Sequence, residues 1–512
     1  MRVFVKVLPF ILCLSLLLSA CSGDDVFPPD ESFSPEDSLP PEETITPPGD
    51  VTNDLEETIQ KTHVVVAGVA VMLTGADGTE RQVNIAEEII KLLPEDVKAK
   101  YEFTVNSYLA SDHIWESYDA ENYSLVRRPD IIIGAEAADL RSNYRGRAQR
   151  GKYADITSYF NEEASQGDFY TPVIESGVFD GKQLTVPLAF TPNNLVSASK
   201  KKLDASGMSV PYASMNEFVT DIMDRGYTGD NACVFAPLSP WLVEGMAREL
   251  WSSDVNCGEL TAERIIDELQ TLQTLLSNTV MLDEAAVNPP MVYSNGIFYD
   301  YEFYQMWWEL ADECAKSDRR VFSPPMEDSI FPWQNPEESA WIEAALDSGD
   351  YSYYFAWPKF FGNAGLTAVP KLVAVIDQES EAVEAGYELI KAALSEEFQY
   401  GVLCELLGMN GNEYLPVSKT AFNRYTDVED PNVVARYEKI CGDILGAEDD
   451  RLEEYVKPML ESYRQAINSM SAALVNIHRS DVTDLAYGPI EMYWKGEITI
   501  DEAAERIHRA VA

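Results

Sequence analysis

The chain has 512 residues, and its 86 acidic residues outnumber 38 basic ones for a net charge of −48. That balance excludes nucleic acid as a partner, because phosphate binding needs a positive surface. It also disfavours electrostatic attachment to anionic lipid, and most of the charge reads as a solubility device.

The first residues read as an export leader. Arg2 and Lys6 form a positive start, Val7 to Leu18 is an apolar run too short for a membrane span, and Leu18-Ser19-Ala20-Cys21 follows. Small residues directly before a cysteine make a lipobox, so Cys21 is expected to be acylated and to become the new N-terminus. Two or more acyl chains hold firmly where one is marginal. The expected product is a bacterial lipoprotein on the outer face of the cytoplasmic membrane. Losing Arg2 and Lys6 takes the net charge from −48 to −50.

Residues 22–60 are rich in Pro and acids and contain no Lys or Arg. Such a stretch buries too little apolar surface to fold. Self-repulsion and polyproline character extend it into a tether.

A body follows from about residue 61. It is too long for one compact core, so two lobes are expected. His63–Met72 is an apolar run of strand length, and Val83 to Leu93 has the apolar spacing of a helix ending before Pro94. Tyr101–Leu109 alternates as a strand, and Asp130–Gly134 is a short apolar strand closed by Gly. Strands alternating with helices imply parallel pairing in an α/β sheet. Ligands in such sheets sit beyond the carboxyl ends of the strands. That rule makes Asp77 and Glu136 candidate binding residues.

Helical spacing then dominates over Met215–Arg225, Trp241–Trp251, Ala262–Leu276 and Tyr301–Lys316. Trp241 opens its helix after Ser239-Pro240, in a position equally suited to core or cleft. Strand character returns at 351–376, followed by a helix over Glu379–Leu394. Within YSYYFAW, Tyr351, Tyr353, Phe355 and Trp357 share one strand face, while Ser352, Tyr354 and Ala356 share the other.

Catalytic and metal motifs are missing from the sequence: there is no GxSxG, HExxH, P-loop, GxGxxG or EF-hand loop. The four histidines are scattered, and no CxxC occurs. Beyond Cys13 and Cys21 five cysteines remain: Cys233, Cys257, Cys314, Cys404 and Cys441. Spacing permits a Cys233–Cys257 pair, but buried free thiols are the simpler reading. No cofactor, no metal and no enzyme activity are expected.

Several loose motifs then occur in one order. Pro129–Gly134 (PDIIIG) comes first, then Asp155–Tyr159 (DITSY), Phe179–Pro187 (FDGKQLTVP) and Leu203–Phe218 with Gly207 and Pro211. Leu389–Gln399 (LIKAALSEEFQ), Leu415–Val417 (LPV) and Gly496–Ala504 (GEITIDEAA) complete the set. Together they resemble the extracellular solute-binding proteins of ATP-driven importers, in the sugar-type group that includes maltose-binding protein. Residues 280–345 do not follow that pattern, and Ser199-Lys200-Lys201 replaces its usual "NK".

The resemblance implies an α/β, two-lobed periplasmic-binding-protein-like fold with hinge crossings and a central ligand cleft. Lobe 1 would comprise 61–190 with 367–415, and lobe 2 would comprise 191–366 with 416–512. Crossings are expected near Pro187–Leu195, Phe361–Ala368 and Leu415–Ser418. Phe190, Asn193 and Asn194 would lie at the first crossing. Trp357, Tyr353 and Tyr354 would approach the second, where flat rings suit the apolar faces of sugars. Asp484 is carried over as a ligand residue by resemblance alone.

The expected partners are a small solute, read as a carbohydrate, the permease subunits of an ABC importer, and the membrane through the N-terminal lipid. The chain itself is expected to be a monomer. Two alternatives stay open: a secreted glycan-active enzyme, whose carboxylate pair is defined by separation in space, and a non-transport surface lipoprotein.

Overall fold

A computed structural model describes residues 61–74, 80–108, 128–134, 147–148, 150–163, 168–192, 194–226, 246, 249, 260–277, 291–293, 296–298, 342–343, 345–361, 365–407, 414–446, 449–473 and 488–511. The expected helices at 241–251 and 301–316 lie outside these residues. Residues 59–512 form one compact unit.

The chain enters on β1 (Thr62–Thr74), whose first half pairs in parallel with β3 (Tyr101–Tyr108) and β4 (Ile131–Ile133). Its second half pairs antiparallel with β2 (Glu80–Asn84). The run from Val64 to Val71 is buried throughout, as expected of a strand covered on both faces. β2 passes directly into α1 (Ile85–Lys91). The helix expected from Val83 therefore starts two residues later. Val83 is strand, and the Asn84 side chain caps α1 by accepting from Ala86 N and Glu87 N at 2.9 and 3.3 Å. With no loop between strand and helix, their two apolar periods merge in the sequence.

β5 (Val178–Phe179) and β6 (Lys182–Gln183) form a hairpin around Asp180-Gly181, both at positive φ (51° and 77°). Asp-Gly is the pair that suits this two-residue turn. β7 (Val186–Pro192) then joins the main sheet, and β8 (Leu195–Ser199) leaves it. A short helix, Lys200–Ser206, follows β8 and ends at Gly207; further along come α2 (Met215–Asp224) and α3 (Ala262–Ser277). β9 (Met291–Tyr293) and β10 (Gly296–Phe298) make a small separate hairpin.

Among the described residues β11 (Ser352–Ala356) pairs only with β8. β12 (Leu366–Ile376) returns to the main sheet between β7 and β4. The helix expected from Glu379 begins later, as α4 (Val383–Ala393). Its first residues are held in a turn instead: Asp377 Oδ1 accepts Glu379 N at 2.7 Å, and Ser380 Oγ reaches Asp130 Oδ1 at 3.0 Å. A π-helical segment, Glu397–Leu407, leads to β13 (Leu415–Pro416), which pairs with β7. Then come α5 (Lys419–Tyr425), α6 (Pro431–Leu445) and α7 (Leu452–Asn468). β14 (Met470–Ala473) pairs with the start of β12, and α8 (Ile500–Val511) packs on α3.

Three cores result. The first surrounds the main sheet and draws on residues 64–189 and 372–407. The second lies under one face of the β8–β11 ribbon, among α2, α3 and α8. The third lies under its other face and is built mainly from α5 to α7. The chain is thus an α/β protein of two parts: a sheet-centred body, and a ribbon wrapped by helices, joined where β7 becomes β8 and β11 becomes β12. No helix among the described residues is long and apolar enough to cross a membrane.

Candidate functional site

The crossings converge at one end of the main sheet. β4 pairs with Ala374–Ile376, while Pro192 and Met470 pair near the opposite end of β12, at Ala368 and Leu366. The carboxyl ends of β1 and β4 therefore point toward the crossings, the side on which α/β sheets bind ligands. Gly134 ends β4 at φ 108°, where a Cβ would lie 2.2 Å from Val69 Cγ1. Only glycine fits that turn.

Asn194 sits at the centre of the crossings. Its Nδ2 donates to Trp357 O at 2.7 Å and Gly365 O at 3.2 Å. Its Oδ1 accepts from Thr367 N at 2.8 Å and Thr367 Oγ1 at 3.0 Å. An asparagine amide has two donor hydrogens and two acceptor lone pairs, and all four are used. Trp357 N also donates to Asn194 O at 2.6 Å. One side chain thereby ties the β7–β8 crossing to both ends of the β11–β12 crossing.

Gln399 does the same at the third crossing. It is fully buried. Nε2 donates to Leu188 O at 3.0 Å and Ala393 O at 2.8 Å, and Oε1 accepts from Ser418 N at 3.2 Å. The glutamine of SEEFQ therefore links β7, the end of α4 and the start of α5.

The aromatic run divides as strand alternation requires. Tyr353, Phe355 and Trp357 face the second core, and Tyr354 and Ala356 the third. Tyr351 precedes the strand and packs toward the third core. Trp357 is 6% exposed, with its ring edge-on to Phe218 at 4.8 Å. Tyr353 is half-buried, with Lys200 Nζ 5.8 Å from its ring centre. Tyr354 is half-buried too, edge-on to Tyr463 at 5.5 Å. Phe190 is fully buried, 5.3 Å from the Tyr170 ring. Of the candidate ligand residues, Phe190, Asn194 and Trp357 are thus interior groups, and Tyr353 and Tyr354 keep open surface. Trp241, Asn193, Glu136, Asp77, Asp484 and the lipobox Cys21 lie outside the described residues. So do Cys233, Cys257 and Cys314. Cys404 and Cys441 are buried and not joined in a disulfide, and burial raises the Cys404 thiol well above its ordinary pKa.

A group of charges beside the second crossing is absent from the sequence reading. Glu249 Oε2 accepts from Phe360 N at 2.6 Å and Phe361 N at 3.0 Å. The residue is partly exposed, but its carboxyl end is covered. Burial pushes that carboxyl above the carboxylate range; the two N–H groups and the Lys359 ammonium oppose the shift, and Glu268 adds to it. Burial likewise pushes Glu268, on α3, up to about 7, against the nearby Arg264. Lys359 is itself buried. A lysine inside the aromatic run WPKFF was the one available signal. Among the described residues no group of His, Cys, Asp or Glu is arranged to hold a metal ion.

Solved structures resemble the chain over most of its length. A designed esterase obtained by directed evolution and rational design aligns over 88% of this chain and 100% of its own, at 13% identity and a TM-score of 0.52. The cyclic α-maltosyl-1,6-maltose binding protein of Arthrobacter globiformis aligns over 88% and 98%, at 15% identity and a TM-score of 0.46. An ABC substrate-binding protein of Listeria monocytogenes, in complex with cycloalternan, aligns over 88% and 98%, at 13% identity and a TM-score of 0.44. The first shares the fold of this chain, and at such identity the likeness is one of fold alone. No known protein family and no curated protein matches the chain.

Proposed function

We propose that the chain is a lipid-anchored solute-binding protein that captures a small carbohydrate and passes it to the permease of an ABC importer. The observation that carries this reading is the pinned set of crossings. Asn194 and Gln399 bind backbone groups of separate crossing segments, so the sheet body and the ribbon body meet at an ordered joint, which the third core widens through Tyr170, Phe190 and Tyr400. A joint of that kind permits rigid-body closure on a ligand, which contacts across the cleft then favour. The leader, the lipobox at Cys21 and the acidic tether support export and anchoring. The ordered motifs support a sugar, and so does the half-buried ring of Tyr353; Tyr354 lies on the opposite face of the ribbon. Capture of this kind needs no nucleophile or metal.

The test is a thermal-shift screen of the body from residue 61 against oligosaccharides, peptides and polyamines, followed by small-angle scattering. A ligand bound only by the folded state raises Tm as its concentration exceeds its Kd. The expected result is a sugar that raises Tm, is recovered unchanged and makes the protein more compact. A sugar that is consumed would make the chain a glycan-active enzyme. No shift with any sugar, on folded protein, would remove the carbohydrate assignment.

A further inference from the structure

The segment that opens the second crossing is held by helices of the ribbon body. Lys359 O accepts Met215 N at 3.1 Å, at the start of α2. The next two amides, Phe360 N and Phe361 N, both donate to Glu249 Oε2, at 2.6 and 3.0 Å. Glu249 lies one helical turn after Met246, which is fully buried in the second core. Arg264 of α3 lies 6.0 Å from the centre of the Phe361 ring. Two successive amides of the crossing thus depend on one carboxyl oxygen.

That carboxyl is covered, and the charges facing it are mixed. Lys359 from the crossing attracts it, and Glu268 from α3 repels it. Glu268 has Arg264 and Asp267 beside it on α3, and its own Oε2 is buried with no hydrogen-bond partner among the described residues. The acids of α2 are turned to other partners. Glu217 accepts Ala213 N at 2.7 Å, and Asp221 accepts Tyr212 Oη at 2.6 Å and Arg225 Nε at 2.8 Å. For Glu249, the penalty of covering an ionised group outweighs two N–H groups and one ammonium, so its pKa is raised. Opened to water, the same group returns toward the ordinary glutamate value of 4.5. A group that binds its proton more tightly when covered favours the covered state at low pH. That preference is lost as pH rises through the raised pKa.

We propose that Glu249 is a proton-operated latch on the second crossing: neutral, it stays covered and holds Phe360 and Phe361; ionised, it is drawn toward water and releases them. The crossing therefore loosens as pH rises. The latch acts on the joint whatever solute the chain takes, so its test does not depend on the carbohydrate reading.

Hydrogen exchange reads local opening amide by amide. The experiment follows exchange in the full chain by mass spectrometry, resolved to single amides and corrected for the intrinsic rate at each pH. It runs from about pH 5 to about pH 9, a range that brackets raised carboxyls. Protection at Phe360 and Phe361 is expected to fall at least tenfold as pH rises, since one pKa unit is tenfold in the equilibrium. Ala154 N, which donates to Ile376 O in the sheet body at 2.9 Å, reports unfolding of the whole body and should change less. Glu249→Gln keeps an acceptor that does not titrate, and should abolish the extra fall. Glu268→Gln removes a repelling charge and should leave a shallower one. Lys359→Met removes the ammonium that favours the ionised form and should steepen it. Flat protection in the parent, or an equal fall at Ala154, would overturn the latch. So would a fall that persists in Glu249→Gln and vanishes in Glu268→Gln. If Glu249→Gln does not fold, Lys359→Met decides in its place, and a fall no steeper than the parent's overturns the latch.

Discussion

Asn194 shows how a residue that looks suited to gripping a ligand is occupied by the fold. Its four hydrogen bonds leave no free donor or acceptor for a sugar hydroxyl. Asn194→Leu would strand Trp357 O, Gly365 O and the Thr367 groups in a buried place, at about 1–3 kcal/mol for each group left unmet. The variant is expected to unfold at clearly lower urea than the parent; an unchanged midpoint would mean that water replaces the amide. Glu268 carries a different signature. Its carboxyl titrates near 7 when folded and near 4.5, the ordinary glutamate value, when unfolded. Between those values the folded chain binds more protons than the unfolded one, so this group lowers stability as pH rises from about 4.5 to about 7. Glu268→Gln removes that part of the slope. Melting curves of parent and variant should converge near pH 4.5 and separate by pH 7, with the variant the more stable. Parallel curves across that range would show that Glu268 titrates normally.

At the scale of elements, β11 explains what the sequence shows and what it hides. Period-two alternation correctly splits Tyr353, Phe355 and Trp357 from Tyr354 and Ala356, because side-chain direction in a strand follows from backbone geometry alone. It does not reveal that helices cover both faces of the ribbon. That depends on α2 and α3 on one side and α7 on the other, far away in the chain. Trp357 therefore looks like a cleft ring and packs as a core ring. Trp357→Ala should cost about 3–5 kcal/mol in stability, so loss of binding in that variant would not identify a ligand contact. Tyr353→Ala, at a half-buried ring, should cost less and is the sharper probe. If Tyr353→Ala lowers Tm as much as Trp357→Ala, the open-surface reading of Tyr353 fails. The ordered motifs have the same character. Asp180-Gly181 makes a hairpin turn, Gly207 ends a helix in the left-handed region at φ 69°, and Gln399 ties three segments together. Each of these three fixes a backbone feature, so they make the fold legible and say nothing of which side chains meet a ligand.

For the whole molecule the deciding quantity is charge. With 86 acids and 38 bases, most carboxylates have no base to pair with. The ion pairs on the described helices are largely exposed i,i+4 contacts, each worth about 0–1 kcal/mol. Salt weakens those pairs and also screens the excess repulsion, over a Debye length that falls from about 10 Å at 0.1 M to about 3 Å at 1 M. The excess is the larger effect, so Tm should rise between 10 and 300 mM NaCl, where both figures are roughly set by that screening length. The same argument reaches function. If the chain closes on a neutral solute as proposed, closure brings carboxylates of the two bodies together, and screening eases that approach. Affinity for a neutral solute should then rise modestly with salt, whereas affinity for a cationic solute should fall, because salt competes for its carboxylates. Isothermal titration of the identified solute at two salt concentrations separates these cases by sign. A flat response would mean that closure moves too little charge to register.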